Sequence, residues 1–209
     1  MEAPLSRLLV PGAAGYQIED DGRAVAIDPE ETALVAQAAQ KRRRDFILGR
    51  FCAHAALARL DGDIPSIGRG EDGAPLWPDG FCGSITHTAG YAAALVARRD
   101  SFRSLGLDAE RVGGITEKLW PRLFDAGECE GLAALPPVGQ ITSATILFSA
   151  KEASFKAWSP LGAKALTFRN IHIALREGGF DAISPVGVLQ GRFAIAGDLV
   201  LAAAFVPAR

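Results

Sequence analysis

The stretch Phe148-Ser-Ala-Lys-Glu-Ala-Ser-Phe-Lys-Ala-Trp-Ser-Pro160 contains the densest structural information in the chain. Its pattern predicts a helix over residues 143–158, which ends before the proline. Glu152 and Lys156 are four residues apart, so they project from the same helical face. Neighbouring Lys and Glu residues are also typical of a solvent-exposed helix. The surrounding aromatic residues favour a partly buried helix. Charged side chains on a partly buried face are unfavourable, so their presence there indicates a function.

A second acidic pattern lies upstream in Leu105-Gly-Leu-Asp108-Ala-Glu110, which we interpret as a strand end. Side chains two residues apart leave the same face of a strand, so Asp108 and Glu110 share a face. Taken alone, acidic residues at a strand end are typical of a solvent-facing position. Together with Glu152 they provide three carboxylates, the ligands that Mg²⁺ accepts while leaving positions open for substrate phosphates. We therefore predict a magnesium site at Asp108, Glu110 and Glu152.

A basic cluster, Lys41-Arg42-Arg43-Arg44 followed by Arg50, stands out in a chain whose net charge is −2 and whose pI is about 5.9. This balance argues against nucleic acid and anionic membranes as partners. Part of the cluster could be an ordinary solvated helix face. A compact phosphate ligand suits it better, because guanidinium groups bind phosphate through bidentate, charge-assisted hydrogen bonds.

Two further segments contain candidate ligand contacts. The segment from Gly83 to Gly90 places Thr86 and His87 at a strand-to-turn junction, where the backbone can approach a phosphate. A single histidine is more often structural than functional. Trp77 lies in a loop rich in Pro and Gly, which is either a rigid surface loop or one wall of a pocket for a purine ring.

The order of predicted elements gives the fold class. Asp28-Pro29-Glu30-Glu31 predicts a helix start, with Glu31 at the capping-box position. The helical pattern has a break near residue 40 and continues to residue 60. Predicted strands, a helical stretch over residues 116–135, the helix described above and C-terminal strands follow. We predict an α/β (α+β) fold of two similar lobes in a pseudo-twofold arrangement, over residues 1–105 and 106–209.

Cysteine content and hydropathy indicate the cellular setting. The three cysteines are odd in number and contain no Cys-x-x-Cys pair, which argues against a disulfide framework or a zinc site. No signal peptide is evident, and the longest apolar run is too short to span a bilayer. These features predict a soluble cytoplasmic protein.

Six segments taken together resemble the 4′-phosphopantetheinyl transferases of the surfactin/enterobactin-synthetase type, closest to the enterobactin branch. In the family's order they are Arg42-Arg-Arg-Asp-Phe-Ile-Leu-Gly-Arg50, Gly73-Ala-Pro-Leu-Trp-Pro78, Gly83-Ser-Ile-Thr-His87, Gly106-Leu-Asp-Ala-Glu110, Phe124-Asp-Ala-Gly-Glu128 and Phe148-Ser-Ala-Lys-Glu-Ala-Ser-Phe-Lys156. Any one segment is weak evidence. Six in register form a specific match.

The resemblance implies transfer of 4′-phosphopantetheine from coenzyme A to a serine of an apo peptidyl or acyl carrier protein, releasing adenosine 3′,5′-bisphosphate. It implies Mg²⁺ held by Asp108, Glu110 and Glu152, with Glu152 also helping to deprotonate the serine, directly or through a water. The implied coenzyme A contacts are Arg42, Arg50, Trp77, Thr86, His87, Lys151 and Lys156. The site lies within one chain, so a monomer is expected.

Three positions depart from the family pattern: Ala74 replaces a lysine, Phe148 a tryptophan and Asp45 a glutamate. The carrier stays open among siderophore or other nonribosomal peptide, polyketide and fatty-acid carriers. Two other functions fit parts of the pattern. One is a catalytically inactive module that binds coenzyme A or a carrier protein. The other is an unrelated metal-dependent phosphoesterase, which does not need the basic, Trp and Thr-His segments together.

Overall fold

Two antiparallel sheets, each with one long helix packed on it, form the protein. The computed structural model describes residues 3–60, 65–163 and 166–208. The helices are α1 (Pro29–Ala33), α2 (Gln40–Leu57), α3 (Trp120–Leu123), α4 (Ala126–Ala133) and α5 (Pro137–Trp158), with short 3-10 turns at Pro4–Leu8, Glu117–Leu119, Ser159–Leu161 and Phe168–Asn170. The strands are β1 (Ala13–Glu19), β2 (Gly68–Arg69), β3 (Pro75–Leu76), β4 (Phe81–Thr88), β5 (Tyr91–Arg98), β6 (Phe102–Arg111), β7 (His172–Arg176), β8 (Gly179–Ser184), β9 (Gly187–Ala196) and β10 (Leu199–Pro207).

The first sheet has the strand order β1-β5-β4, and its central strand β5 is buried on both faces. Ala92, Ala94 and Val96 pack with α2 in one core. The alternate residues of β5 pack with β6 and β10 in a second core. Apolar side chains, four of them alanines, fill β5 from Ala92 to Ala97, which suits a strand covered on both faces.

The second sheet has the order β6-β10-β9-β8-β7 and carries α5 on one face. Gly106 of β6 lies against the α5 backbone: a Cβ atom there would overlap Ala153 O and lie 2.8 Å from Ala157 N. A residue without a side chain is therefore required at this crossing. The contact fixes the height of α5 above β6, and so places Glu152 beside the acidic end of the strand.

The edge strands of the two sheets, β4 and β6, meet without a backbone ladder. Ser84 Oγ accepts a hydrogen bond from Leu107 N at 2.9 Å, and Thr86 Oγ1 accepts one from Ala109 N at 3.0 Å. These hydroxyls satisfy buried backbone donors that the sheet leaves unpaired. We call this contact the hydroxyl seam.

The mixed α/β class is confirmed, with one long helix on each sheet. The predicted boundary between residues 105 and 106 falls inside β6. We propose a division at the turn of residues 99–101 instead, because it leaves both sheets whole. The break in the first helical stretch is confirmed by the gap between α1 and α2.

Three local predictions need correction. The helix predicted over 143–158 begins earlier, at Pro137, because proline is well tolerated in the first helical turn. The predicted loop of residues 68–80 contains the two-stranded ribbon β2–β3. Asp28 caps α1 as expected, but the buried Glu31 carboxylate accepts a hydrogen bond from Ile67 N instead of closing a capping box.

All three cysteines are free thiols, two of them buried. Within the described residues, no helix combines the length and apolar character needed to cross a membrane.

Candidate active site

One part of the candidate site is formed where acidic side chains of β6 meet a basic side chain of α5. Lys156 Nζ donates to Asp108 Oδ1 at 2.7 Å and to Leu107 O at 3.1 Å. The helical spacing predicted for Glu152 and Lys156 is confirmed, since both lie on α5. The structure thus joins the two motifs that the sequence places about 45 residues apart.

Asp108 has the features expected of a cation ligand. It is only 4% exposed, and its second oxygen, Oδ2, is buried without a hydrogen-bond partner among the described residues. A buried, unpaired carboxylate oxygen is unfavourable unless a positive group completes its shell. The residues present therefore fit a divalent cation held by Asp108 with its acidic neighbours.

The electrostatics of Glu110 and Glu152 support the same arrangement. Burial raises the pKa of Glu110 to about 7; the charges of Asp108 and Glu152 also raise it, whereas Lys156 lowers it. Burial likewise raises the pKa of Glu152, with Lys156 opposing and Asp108 adding to the shift. The three carboxylates thus interact with one another, and a cation between them would relieve their repulsion.

The three carboxylates do not form the tightest cluster of possible ligands. Within the described part of the chain, only Asp125, Glu128 and His172 bring ligand atoms within 4.8 Å of one another. Glu128 there closes the capping box of α4 and accepts a hydrogen bond from Ile173 N at 3.0 Å. Its oxygens are satisfied by the protein, so this second cluster is structural.

The predicted phosphate-binding residues Arg42, Arg50 and His87 line one pocket of about 180 Å³, together with Asp45, Phe46, Gly73, Pro75 and Ile85. Arg50 is 2% exposed, its guanidinium carbon lies 4.9 Å from the centroid of the Phe46 ring, and Nη2 donates to Gly68 O at 2.8 Å. Arg50 Nη1 is buried without a partner among the described residues. A buried cationic donor without a partner suits an anionic ligand.

His87 lines the basic pocket and is also affected by the charge of Lys156, which pairs with Asp108. Burial lowers its pKa; Asp45 opposes this shift, while Lys156, Lys41 and Arg42 add to it. The imidazole is therefore within electrostatic reach of Lys156 on one side and Arg42 on the other. A ligand with several phosphates could occupy both regions at once.

Lys151 lies away from this cleft, contrary to the coenzyme A contact expected for it. It is 0% exposed, and its Nζ pairs with Glu128 Oε2 at 2.6 Å. The same ammonium group donates to Leu123 O and Phe168 O, each at 3.2 Å. Helical geometry explains the difference, because Lys151 and Glu152 are adjacent and so point about 100° apart. Lys151 anchors α5 to α4.

Two other expected ligand contacts are also used within the fold. Thr86 is buried, and its hydroxyl belongs to the hydroxyl seam. The Trp77 ring packs over Gly83, where a Cβ atom would lie 2.5 Å from the ring, and it does not line the pocket of Arg50. Gly73 and Pro75 from the same loop provide that wall instead.

Sequence comparison agrees with this geometry. Residues 30–97 match the family model of the 4′-phosphopantetheinyl transferase N-terminal domain, and residues 104–204 match that of the 4′-phosphopantetheinyl transferase superfamily. The chain is 37% identical over 194 residues to 4′-phosphopantetheinyl transferase Npt of Nocardia iowensis, covering 93% of this chain and 86% of Npt.

The chain belongs to the 4′-phosphopantetheinyl transferase superfamily. PptT of Mycobacterium tuberculosis is 37% identical over 191 residues, covering 84% of each chain. Enterobactin synthase component D of Salmonella typhimurium is 34% identical over 148 residues, covering 66% of this chain and 60% of that protein. The family resemblance and the prediction of an enzyme are thereby confirmed, and the phosphoesterase alternative is excluded.

4′-Phosphopantetheinyl transferases transfer phosphopantetheine from coenzyme A to a carrier protein, and the cleft suits that chemistry. Sequence reasoning missed the structural roles of Gly106, which lies against the α5 backbone, and of Glu128, which pairs with Lys151. Gly106 and Glu128 lie within two of the six segments that resemble the family, so the sequence did mark both positions. Their roles depend on α5, which no local pattern places against β6.

Proposed function

We propose that the protein catalyses Mg²⁺-dependent transfer of 4′-phosphopantetheine from coenzyme A to a carrier-protein serine, releasing adenosine 3′,5′-bisphosphate. The observation that carries the proposal is the buried Asp108 Oδ2, which has no hydrogen-bond partner in the described part of the chain, on the carboxylate that pairs with Lys156. The charge of Lys156 also acts on His87, which lines one pocket with Arg42 and Arg50. Acidic metal ligands next to cationic phosphate contacts are the arrangement that phosphoryl-type transfer requires.

Asp108, Glu110 and Glu152 would hold the magnesium ion. When bound, Mg²⁺ neutralises charge on the pyrophosphate oxygens. Asp108 would contribute Oδ2, which has no hydrogen-bond partner among the described residues, and the raised pKa of the buried Glu110 supports a compensating positive charge there.

Glu152 is proposed as the group that receives the serine proton, directly or through a water. The serine oxygen forms a bond to the phosphorus that carries the pantetheine arm, and the bond from that phosphorus to the bridging pyrophosphate oxygen breaks. Adenosine 3′,5′-bisphosphate leaves with the bridging oxygen. Burial raises the pKa of Glu152, which brings the carboxylate closer to the range useful for proton transfer near neutral pH.

Arg42, Arg50 and His87 are proposed to bind coenzyme A phosphates, and Lys156 to face the pyrophosphate. Lys151 and Thr86 are left out of this set, because both are buried and hydrogen-bonded within the fold. Trp77 is also left out, because its ring packs against Gly83 of β4 and it is not among the residues that line the pocket.

The carrier protein is proposed to dock at the start of α5. Trp120, Phe124 and Leu132 are buried in the region 116–135, whereas Leu135, Val138 and Ile141 are exposed, Val138 by 80%. Ile141 precedes Glu152 by eleven residues, close to three helical turns, so both lie on one face of α5 about 16 Å apart. A carrier bound there could extend its serine toward Glu152.

Similarity to enterobactin synthase component D supports a carrier of siderophore or other nonribosomal peptide synthesis. Free thiols suit the reducing cytoplasm, where we place the reaction. Both lobes that line the cleft come from one chain, so a monomer suffices.

Intact mass spectrometry of an apo carrier protein mixed with this protein, coenzyme A and Mg²⁺ tests the proposal. We expect the carrier to gain one phosphopantetheine and EDTA to abolish the gain. Tight coenzyme A binding without transfer to any peptidyl or acyl carrier would favour the inactive binding module. Absence of coenzyme A binding would reject the assigned pocket.

A further inference from the structure

The β2–β3 ribbon forms one wall of the phosphate pocket. Gly68 of β2 accepts the Arg50 hydrogen bond through its carbonyl oxygen, and Arg69 lies opposite Pro75 of β3. Gly73 and Pro75, on the returning arm, line the pocket itself. The ribbon is therefore in contact with the buried guanidinium that the proposed function assigns to coenzyme A.

Arg69 of this ribbon lies against Gly73, one of the residues that line the pocket. A Cβ atom built on Gly73 would lie 3.3 Å from Arg69 Nη2, so the guanidinium rests against the glycine. Gly73 has a φ of +85°, a conformation that favours glycine. Arg69 is exposed, and among residues 3–60, 65–163 and 166–208 no carboxylate forms an ion pair with it or with Arg50.

The two guanidinium groups act on each other. Burial lowers the pKa of Arg50, the nearby Glu31 carboxylate raises it, and the positive charge of Arg69 lowers it again. Two cations that repel each other are unfavourable when, as in the described part of the chain, neither has an ion-pair partner and Arg50 Nη1 is buried without an acceptor. A dianion between them would reverse the repulsion and supply the missing acceptor.

We infer that Arg69 is a further coenzyme A-binding residue and that it grips, together with Arg50, the ribose 3′-phosphate rather than the pyrophosphate. This inference rests on the proposed function. The charges that act on His87 include Lys156, whereas those that act on Arg50 come from Glu31 and Arg69. Arg50 hydrogen-bonds to the β2–β3 ribbon that carries Arg69, whereas Lys156 pairs with Asp108 on β6. A phosphomonoester carries nearly two negative charges at pH 7, matching two guanidiniums.

Isothermal titration calorimetry with adenosine 3′,5′-bisphosphate and adenosine 5′-monophosphate tests the inference on the full chain, without metal or carrier. We expect Arg69→Ala to weaken the bisphosphate about tenfold and the monophosphate less than twofold. Arg69→Lys should fall between, because lysine retains the charge but not the bidentate geometry. Arg122→Ala, which removes an exposed arginine of α3 outside the pocket lining, should change neither affinity.

Equal losses for both nucleotides in Arg69→Ala, or no loss for either, would overturn the inference. Arg50→Ala separates this failure from failure of the proposed pocket. If Arg50→Ala selectively weakens the bisphosphate while Arg69→Ala does not, the pocket stands and only the role of Arg69 is wrong. If neither variant distinguishes the nucleotides, the 3′-phosphate lies elsewhere and both assignments fall.

Discussion

Replacing Glu152 should reduce turnover much more than coenzyme A binding. Replacing it with glutamine retains size and hydrogen bonding but removes the proton acceptor, so we expect Glu152→Gln to lower kcat by about 10²–10⁴-fold. Coenzyme A affinity should stay within a few-fold, because the assigned phosphate contacts lie on other residues. Steady-state transfer assays and calorimetry measure the two effects. Glu130→Gln, an exposed acid on α4, is the matched control; near-normal turnover in Glu152→Gln would reject the assigned base.

Glu110 gives a prediction about pH. Its pKa is raised from 4.5 to about 7, so the folded protein binds this proton more tightly than the unfolded chain. Stability therefore falls as pH rises through that window, and the full penalty is present above pH 7. In EDTA at pH 8, Glu110→Gln should raise the free energy of unfolding by about 1–2 kcal/mol, after allowance for solvent screening. Urea unfolding at pH 4 should show no such gain, whereas a gain of equal size at both pH values would contradict the ionisation argument.

At the scale of elements, the approach of α5 to β6 depends on Gly106. In Gly106→Ala the new methyl group must displace the backbone at Ala153, so we expect a loss of at least about 3 kcal/mol in stability. Turnover should fall more than coenzyme A binding, because Glu152 moves with the helix. Gly131→Ala on α4 is the control: its Cβ meets open space, and the exchange should stabilise the protein by up to about 1 kcal/mol. Thermal unfolding that ranks the two variants equally would show that the crossing tolerates a side chain.

The buried pair of Lys151 and Glu128 joins α5 to α4. Lys151→Met leaves the Glu128 charge uncompensated and should destabilise the protein by about 3–5 kcal/mol. Adding Glu128→Gln removes that charge, so the double variant should regain much of the loss. Denaturant unfolding measures the stability and calorimetry the coenzyme A affinity. If the stabilised double variant still binds coenzyme A poorly, Lys151 contacts the ligand after all.

Local patterns predicted elements better than they predicted side-chain roles. The Asp28 cap and the alternation of Asp108 and Glu110 are properties of a few neighbouring residues, and both are readable from sequence. Lys151 and Thr86 resemble ligands in sequence because they adjoin site residues. Their true partners, Glu128 and the β6 backbone, become neighbours only when α5 packs on the sheet and the two sheets meet.

For the whole molecule, the exposed apolar start of α5 predicts how the carrier is recognised. Val138→Ser combined with Ile141→Ser should raise the KM for the carrier several-fold and leave that for coenzyme A unchanged, because only the protein substrate reaches this surface. Val188→Ser on β9, which removes a comparably exposed valine outside the start of α5, is the control. Transfer kinetics with each substrate varied in turn provide the measurement; a rise for coenzyme A alone would place the carrier elsewhere.

The hydroxyl seam also affects how the chain must be made. β4 and β6 are both edge strands, and each hides the other's edge inside the protein. During synthesis the first half leaves the ribosome with the β4 edge uncovered until β6 arrives, and an uncovered edge is a template for aggregation. If the two halves were expressed as separate chains, each would therefore expose an uncovered strand edge that promotes aggregation. Joining them in one polypeptide ensures that the matching edge is always the nearest available.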